Sequence, residues 1–102
     1  MTKILLVCAA GMSTSLLVNK MQDHAKVIGE EIEIFALPIS ECSSVADKVD
    51  VVLLGPQVRY QKSQVEAIVP NHVPIEVINM RDYGTMNGKA VLERAFVLLN
   101  KS

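Results

Sequence analysis

The sequence predicts an α/β fold, a small doubly wound sheet of four parallel strands in the order 2-1-3-4 with helices on both faces. Four short runs rich in Val and Ile alternate with segments whose apolar residues recur at helical spacing. These runs are continuously apolar, which is typical of strands covered on both faces. The 102 residues match the size of one domain, roughly 100–150 residues, so we expect residues 1–102 to form a single domain.

The continuous apolar runs define the four predicted strands. They are Ile4–Cys8, Ile32–Ala36, Val51–Leu54 and Ile75–Ile78. A helical segment follows each run, and right-handed crossovers then make all the strands parallel. In the order 2-1-3-4 the first and third strands meet at a topological switch point, where such sheets bind ligands beyond the carboxyl ends of their strands. The loops at residues 8–15 and 55–60 are therefore expected to lie side by side.

Four helices are expected, one after each strand. The residues expected to share a face are Leu17, Met21, Ala25 and Ile28 in the first helix, Ile39, Cys42, Val45, Ala46 and Val49 in the short second helix, and Val91, Leu92, Ala95, Leu98 and Leu99 in the last. Gly29 supplies a stop for the first helix. The third runs from about Gln57 to Val69, before Pro70, and the last begins near Gly88.

Composition excludes several function classes. The net charge of −1 and the hydrophobic fraction of 50% argue against nucleic-acid binding and against disorder. No apolar run approaches the roughly 20 residues needed to span a bilayer, and the short run after Lys3 is a strand rather than a signal peptide. The two cysteines have neither CxxC nor zinc spacing. We expect a cytoplasmic chain with reduced thiols and no membrane insertion.

The loop after the first predicted strand is uncharged and rich in small residues. It reads Cys8-Ala9-Ala10-Gly11-Met12-Ser13-Thr14-Ser15. Small side chains let backbone N–H groups converge, and the next helix adds the positive end of its dipole, which stabilises a nearby anion by roughly 0.3–1 kcal/mol. Such a loop is an anion cradle with a thiol at its base, and its field favours the nucleophilic thiolate. The alternative is that Cys8 only closes a buried strand.

The same loop lacks the arginine of a cysteine phosphatase. In a Cys-x5-Arg loop the arginine would stand where this sequence has Thr14. Without a guanidinium, the charge that spreads in the transition state has less fixed compensation. The residues therefore favour a cysteine that accepts a phosphoryl group, holds it as a thiophosphate and passes it on.

Two stretches at this spacing resemble one family. They are Cys8-Ala9-Ala10-Gly11-Met12-Ser13-Thr14-Ser15-Leu16-Leu17-Val18 and Val51-Val52-Leu53-Leu54-Gly55-Pro56-Gln57-Val58. With Pro74–Ile78 and the Tyr83-Gly84 step, they resemble the cytoplasmic enzyme IIB of the lactose/cellobiose/chitobiose class of the bacterial sugar phosphotransferase system (PTS). The strand order also resembles the low-molecular-weight phosphatase-like, flavodoxin-like arrangement. The sequence departs from the family around Ser40–Lys48, which affects the second helix and the substrate subclass.

The resemblance implies a function and partners. Cys8 would be the phosphorylated residue of a phosphotransferase, the donor a phosphohistidine on enzyme IIA, and the acceptor a sugar bound by membrane enzyme IIC. A β-linked disaccharide such as cellobiose or chitobiose is the substrate that the resemblance suggests. No cofactor and no metal are expected. A monomer suits a component that alternates between two partners.

Residues of the first loop have two interpretations each. The hydroxyls of Ser13, Thr14 and Ser15 contact a phosphoryl group, or one of them caps the helix. The backbone N–H groups of residues 10–15 matter more than those hydroxyls. Met12 touches partner proteins or folds inward.

Residues further along the chain are also candidates for the site. Gly55-Pro56-Gln57 begins the second loop, where Gln57 donates to phosphoryl oxygens or faces water. Arg59 and Tyr60 line a rim for docking partners or are solvated. Tyr83 borders the site or packs as an aromatic in the core.

Three further residues are expected to lie outside the chemistry. His24 and His72 are expected at the surface, and Cys42 is expected to be a packing residue. Two other functions remain open at this point. One is a low-molecular-weight phosphatase-like or arsenate-reductase-like cysteine enzyme, and the other is an adaptor without a covalent step.

Overall fold

The structure is a computed structural model that describes residues 1–8 and 14–99. Its strands are β1 (Thr2–Val7), β2 (Ile32–Leu37), β3 (Val51–Leu54) and β4 (Ile75–Val77). Its α-helices are α1 (Thr14–Val27), α2 (Ile39–Cys42), α3 (Lys62–Ile68), α4 (Met80–Gly84) and α5 (Gly88–Leu98), and a 3₁₀ helix spans Pro56–Gln61.

The four strands form one parallel sheet in the order β2-β1-β3-β4. β1 is central, with Leu6 paired to Ala36 of β2 on one side and to Leu53 of β3 on the other. β4 pairs with β3 and forms an edge. The predicted fold class and strand order are confirmed, and the carboxyl ends of β1 and β3 are neighbours.

Alternate residues of the central strands feed two cores. Ile4, Leu6, Val51 and Leu53 face one side with buried residues of α1 and α5, while Leu5, Val7, Val52 and Leu54 face the other with Cys42, Ala46, Val58, Val65 and Val69. The described side chains of β1 from Ile4 to Val7 are 0% exposed. Burying a side chain of this kind stabilises the fold by roughly 1.5–3 kcal/mol, so the sheet interior anchors both helix layers.

The edge strands depart from the expectation of burial on both faces. β2 and β4 are only partly buried, and Glu33 and Ala36 of β2 are exposed. An edge strand has a neighbour on one side only, so its apolar run alone cannot show that it is less covered than β1.

The first helix ends as its glycine predicts. Gly29 has a φ of +74°, its N–H bonds to the carbonyl of Lys26, and the N–H of Glu30 bonds to the carbonyl of Ala25. This is the Schellman arrangement, which uses the left-handed conformation that glycine adopts without steric cost. Ile28 lies beyond the helix and is 44% exposed, so its predicted place on the apolar face was wrong.

The remaining helices differ from expectation in length. The second is a single turn that continues as turns through residues 43–48, although Cys42, Ala46 and Val49 are buried as predicted. The third begins as the 3₁₀ helix and becomes regular only at Lys62. α4 was not expected; it follows β4, and the Asn79 side chain caps it by accepting from the N–H groups of Arg81 and Asp82.

Candidate functional site

Cys8 follows directly on β1, which is paired on both sides within the sheet. It is a free, partly buried cysteine, and its N–H donates to the carbonyl of Leu37 at 3.1 Å. The bond continues the β1–β2 ladder by one residue, so the backbone of Cys8 is fixed while its side chain stands at the sheet's end. α1 begins at Thr14 and has no acidic residue in its first turn.

Much of the predicted cradle lies outside the described residues. This applies to Ala9, Ala10, Gly11, Met12 and Ser13, as well as to the side chain of Thr14. Ser15 is exposed on the first turn of α1. The positions of Cys8 and α1 place the ends of the loop where the sequence analysis expected them.

The loop after β3 lies against the end of β1. The N–H of Gly55 donates to the carbonyl of Val7 at 2.9 Å. The second loop therefore begins beside Val7, the residue that precedes Cys8. A Cβ on Gly55 would lie 3.3 Å from Oε1 of Gln57, 3.4 Å from Cε2 of Tyr83 and 3.6 Å from the carbonyl oxygen of Val7. The loop after β3 therefore packs closely against the end of β1, and a Cβ at position 55 would fit only after a small shift of the Gln57 side chain.

The second loop leads into an open groove. Its volume is about 440 Å³, and it is lined by Pro56, Gln57, Arg59, Tyr60 and Met80. Pro56 is buried, whereas Gln57, Arg59 and Tyr60 are exposed. The candidate rim residues Arg59 and Tyr60 are thus brought together with Gln57 on one side of the site. Met80 was not a candidate, since its place there depends on α4.

Comparison with known proteins identifies the family. Residues 3–94 match the family described as "PTS system, Lactose/Cellobiose specific IIB subunit". The chain belongs to this family. It is therefore a sugar-specific IIB component of the PTS, of the lactose/cellobiose type, and a phosphotransferase component in general kind.

Relatives of this IIB subunit match it over nearly their whole length. It is 44% identical over 100 residues to the oligo-beta-mannoside-specific EIIB component of Bacillus subtilis, covering 97% of both chains. It is 47% identical over 104 residues to the galactose-specific EIIB component of Lactococcus lactis subsp. cremoris, covering 95% of both. The solution structure of a cellobiose-specific IIB protein from Borrelia burgdorferi has a TM-score of 0.81 at 48% identity, covering 97% of this chain and 92% of that one.

Tyr83 of the IIB subunit packs into the core. It is 4% exposed and belongs to the cluster under α1 and α5, as one of its two interpretations expected. Its ring nevertheless lies beside Gly55, since Cε2 would be 3.4 Å from a Cβ at that position. Tyr83 therefore supports the second loop from below rather than lining its surface.

Cys42 is the second cysteine of this IIB subunit, and it packs as expected. It is 0% exposed, and its Sγ donates to the carbonyl of Pro38 at 3.3 Å. Burial, together with the smaller effects of the charges of Cys8 and Glu41, raises the pKa of its thiol from 9.0 to about 11. Sequence reasoning missed that Cys42 lies within electrostatic range of Cys8, because α2 folds back over the end of the sheet.

One of the two histidines lies at the surface as predicted, and the other does not. His72 is exposed in a turn, as expected. His24 is not a free surface residue, because its side chain is only 14% exposed and its Nε2 lies 3.7 Å from Oε2 of Glu93 on α5. The α1–α5 contact covers more of α1 than the apolar stripe alone indicates. Neither residue touches Cys8 among the contacts of the described chain.

Within residues 1–8 and 14–99, no helix of this IIB subunit is both long enough and apolar enough to cross a bilayer.

Proposed function

We propose that Cys8 is the phosphoryl carrier of this IIB subunit. Its thiolate accepts a phosphoryl group from a phosphohistidine of enzyme IIA and passes it to a sugar bound by membrane enzyme IIC. The observation that carries the proposal is the placement of a free, partly exposed cysteine at the carboxyl end of the central strand, with the N-terminus of α1 following it. We place this work in the cytoplasm and assign it to a single domain acting as a monomer.

The first half of the reaction moves the phosphoryl group onto sulfur. The Cys8 thiolate attacks phosphorus in line with the bond to the histidine nitrogen, the P–N bond breaks, and that nitrogen keeps the electron pair. The backbone N–H groups of residues 9–15 donate to the equatorial oxygens as charge spreads over them. In this proposal the side-chain amide of Gln57, in the neighbouring loop, donates to the same oxygens.

The second half returns the thiolate. A sugar hydroxyl attacks phosphorus, the S–P bond breaks, and the hydroxyl proton passes to a base of the membrane component. The Cys8 loop supplies no cationic side chain to the reaction, since residues 8–15 are uncharged. A loop of neutral donors stabilises a held phosphoryl group while giving water less help than an arginine clamp would.

The sugar substrate is proposed as a chemical class. The matched proteins are named for oligo-beta-mannoside, galactose and cellobiose at 44–48% identity. We propose a β-linked disaccharide of the cellobiose or chitobiose kind. Because enzyme IIC binds the sugar in this scheme, the surface of IIB does not have to recognise which sugar it is.

Intact-mass measurement with a phosphorylated IIA component tests the carrier role. The wild-type chain should gain the mass of one phosphoryl group, and Cys8→Ser should gain none. Cys42→Ser is the matched control, because it removes the other thiol and should label fully. Label that persists in Cys8→Ser, or that is lost in Cys42→Ser alone, would contradict the assignment.

The same protein separates a carrier from a hydrolase. Without partner proteins, it should not turn over p-nitrophenyl phosphate. Turnover that disappears in Cys8→Ser would instead favour the low-molecular-weight phosphatase-like alternative.

A further inference from the structure

An exposed surface adjoins the proposed site on the β3–β4 side. We call it the Tyr60 surface and define it by Gln57, Arg59, Tyr60, Met80 and Arg81. Tyr60 is 74% exposed and Met80 is 64% exposed, and Arg59 and Arg81 are exposed as well. Tyr, Met and Arg are enriched at protein interfaces, and Tyr and Arg contribute much of their binding energy. Tyr60 and Met80 line the same groove, and exposed apolar side chains that adjoin one another are typical of interaction sites.

The Tyr60 surface is continuous with the end of β1. Its first segment starts two residues after Gly55, whose N–H donates to the carbonyl of Val7. Its second segment starts two residues after Ile78, whose N–H donates to the carbonyl of Leu54 at 2.8 Å. Both segments therefore leave the sheet at the same end as Cys8.

The charge of the Tyr60 surface is one-sided. The groove that it borders is lined by Arg59 and by no acidic residue. Among the described residues, Arg94 pairs with Glu76, and Glu93 lies near His24; neither contact involves Arg59 or Arg81, whose charges stay free for a partner. On the opposite side of Cys8, Glu41 is exposed and raises the pKa of Cys42. An anionic partner is thus favoured on the β3–β4 side and disfavoured on the α2 side.

We propose that the Tyr60 surface docks the phosphorylated donor component, with Arg59 and Arg81 attracting its negative charge; this inference rests on the proposed function. A phosphoryl group adds about −1.5 to −2 charges to its carrier, whereas the acceptor sugar is neutral. The arginines therefore distinguish the donor step from the acceptor step. Once the group has moved to Cys8, the donor has lost the charge that attracted it, and the same arginines no longer hold it.

Rapid-quench kinetics with a phosphorylated IIA component tests this surface. For the double variant Arg59→Gln/Arg81→Gln, the second-order rate constant at low salt should fall about 5- to 10-fold, since steering charges change association rates by 10-fold or more. The decline of that constant with added salt should flatten. The rate at saturating donor and the final labelling of Cys8 should stay at wild-type values.

Two further variants sharpen the result. Lys26→Gln/Lys48→Gln removes the same charge from exposed residues near the other end of the strands and should leave the second-order constant within about 2-fold of the wild-type value. Tyr60→Ala/Met80→Ala removes the apolar part of the surface and should weaken docking at every salt concentration, with unfolding midpoints near wild type because both side chains are exposed.

The outcomes separate this inference from the carrier function. If the arginine variant transfers at the wild-type rate while Cys8 is fully labelled, the docking surface is overturned and the carrier role stands. If the arginine variant loses affinity only for anionic lipid vesicles, the surface faces a membrane and the inference is again overturned. If wild-type Cys8 takes no label, the proposed function itself fails.

Discussion

The two thiols show how position within one fold sets the chemistry of a residue. Cys42 is completely covered and bonds to a backbone carbonyl, so its neutral form is favoured and it is a poor nucleophile. Cys8 stands at the end of a strand with its side chain partly accessible. A thiol-reactive reagent should therefore modify Cys8 in the folded protein and leave Cys42 unmodified, in agreement with the different roles that the sequence predicts for them.

Cys42 should make the stability of the protein fall at alkaline pH. Its pKa is about 11 in the folded protein against 9.0 as the ordinary value, so above pH 9 the unfolded chain loses this proton first. The free energy of unfolding should then decrease between pH 9 and 11 by up to about 2 kcal/mol from this group, at 1.36 kcal/mol per pKa unit. Below pH 9 the group should contribute no pH dependence.

Urea unfolding of wild type and Cys42→Ala at pH 7.5, 9 and 10.5 measures this contribution. The alanine variant starts less stable because a buried side chain is shortened, but its stability should decline less steeply. Parallel declines in the two proteins would show that other groups cause the alkaline loss.

At the scale of elements, the contact between α1 and α5 depends on one glycine. A Cβ on Gly88 would lie 2.5 Å from the carbonyl carbon of Lys20 and 2.6 Å from the nitrogen of Met21. Both are backbone atoms of α1, so the clash could be relieved only by moving a helix. Since α1 begins just after the Cys8 loop, the glycine also fixes where that helix end stands.

Gly88→Ala should destabilise the protein by about 1–3 kcal/mol, the usual range for overpacking in a filled interior. Gly84→Ala is the matched control, because Gly84 is also helical and a Cβ there meets nothing within 4 Å. The control should be neutral or up to about 1 kcal/mol more stable, through helix propensity. Equal thermal unfolding midpoints for the two variants would refute the close contact.

Local signals explain which elements could be predicted. The buried strands, the stop at Gly29 and the start of the last helix each depend on residues within a few positions. α4 and the 3₁₀ start of the third segment depend on where β4 and the loop after β3 come to rest, which is decided by packing. For the same reason the Cys8 loop could be singled out by its small residues, whereas the place of Met80 in the groove after β3 and the nearness of Cys42 to Cys8 could not be predicted.

At the scale of the molecule, the sheet is unevenly protected. β1 is paired on both sides and covered on both faces, while β4 has three residues and a free edge. The topology could be predicted because alternating strands and helices leave few right-handed arrangements. The uneven cover of the edges could not, since it depends on how far the helices extend over them.

Amide hydrogen exchange should follow this order. The N–H groups of residues 4–7 should exchange most slowly, at rates set by global unfolding, and those of β4 should exchange through local opening. Measurement by NMR at several denaturant concentrations distinguishes the two routes. Amides of β4 that exchange as slowly as those of β1 would contradict the predicted order of exchange rates.

The tight space around Gly55 ties two distant parts of the chain to one another. A Cβ there would meet the side-chain oxygen of Gln57, the ring of Tyr83 and the carbonyl oxygen of Val7 at 3.3, 3.4 and 3.6 Å. A methyl group at position 55 needs only a small shift of the Gln57 side chain, whereas a larger side chain would press on the ring of Tyr83, so large residues at position 55 favour smaller ones at position 83. Directed evolution of this subunit would therefore gain from randomising both positions in the same library, because a large side chain at position 55 would also lie next to the residue that precedes the thiol.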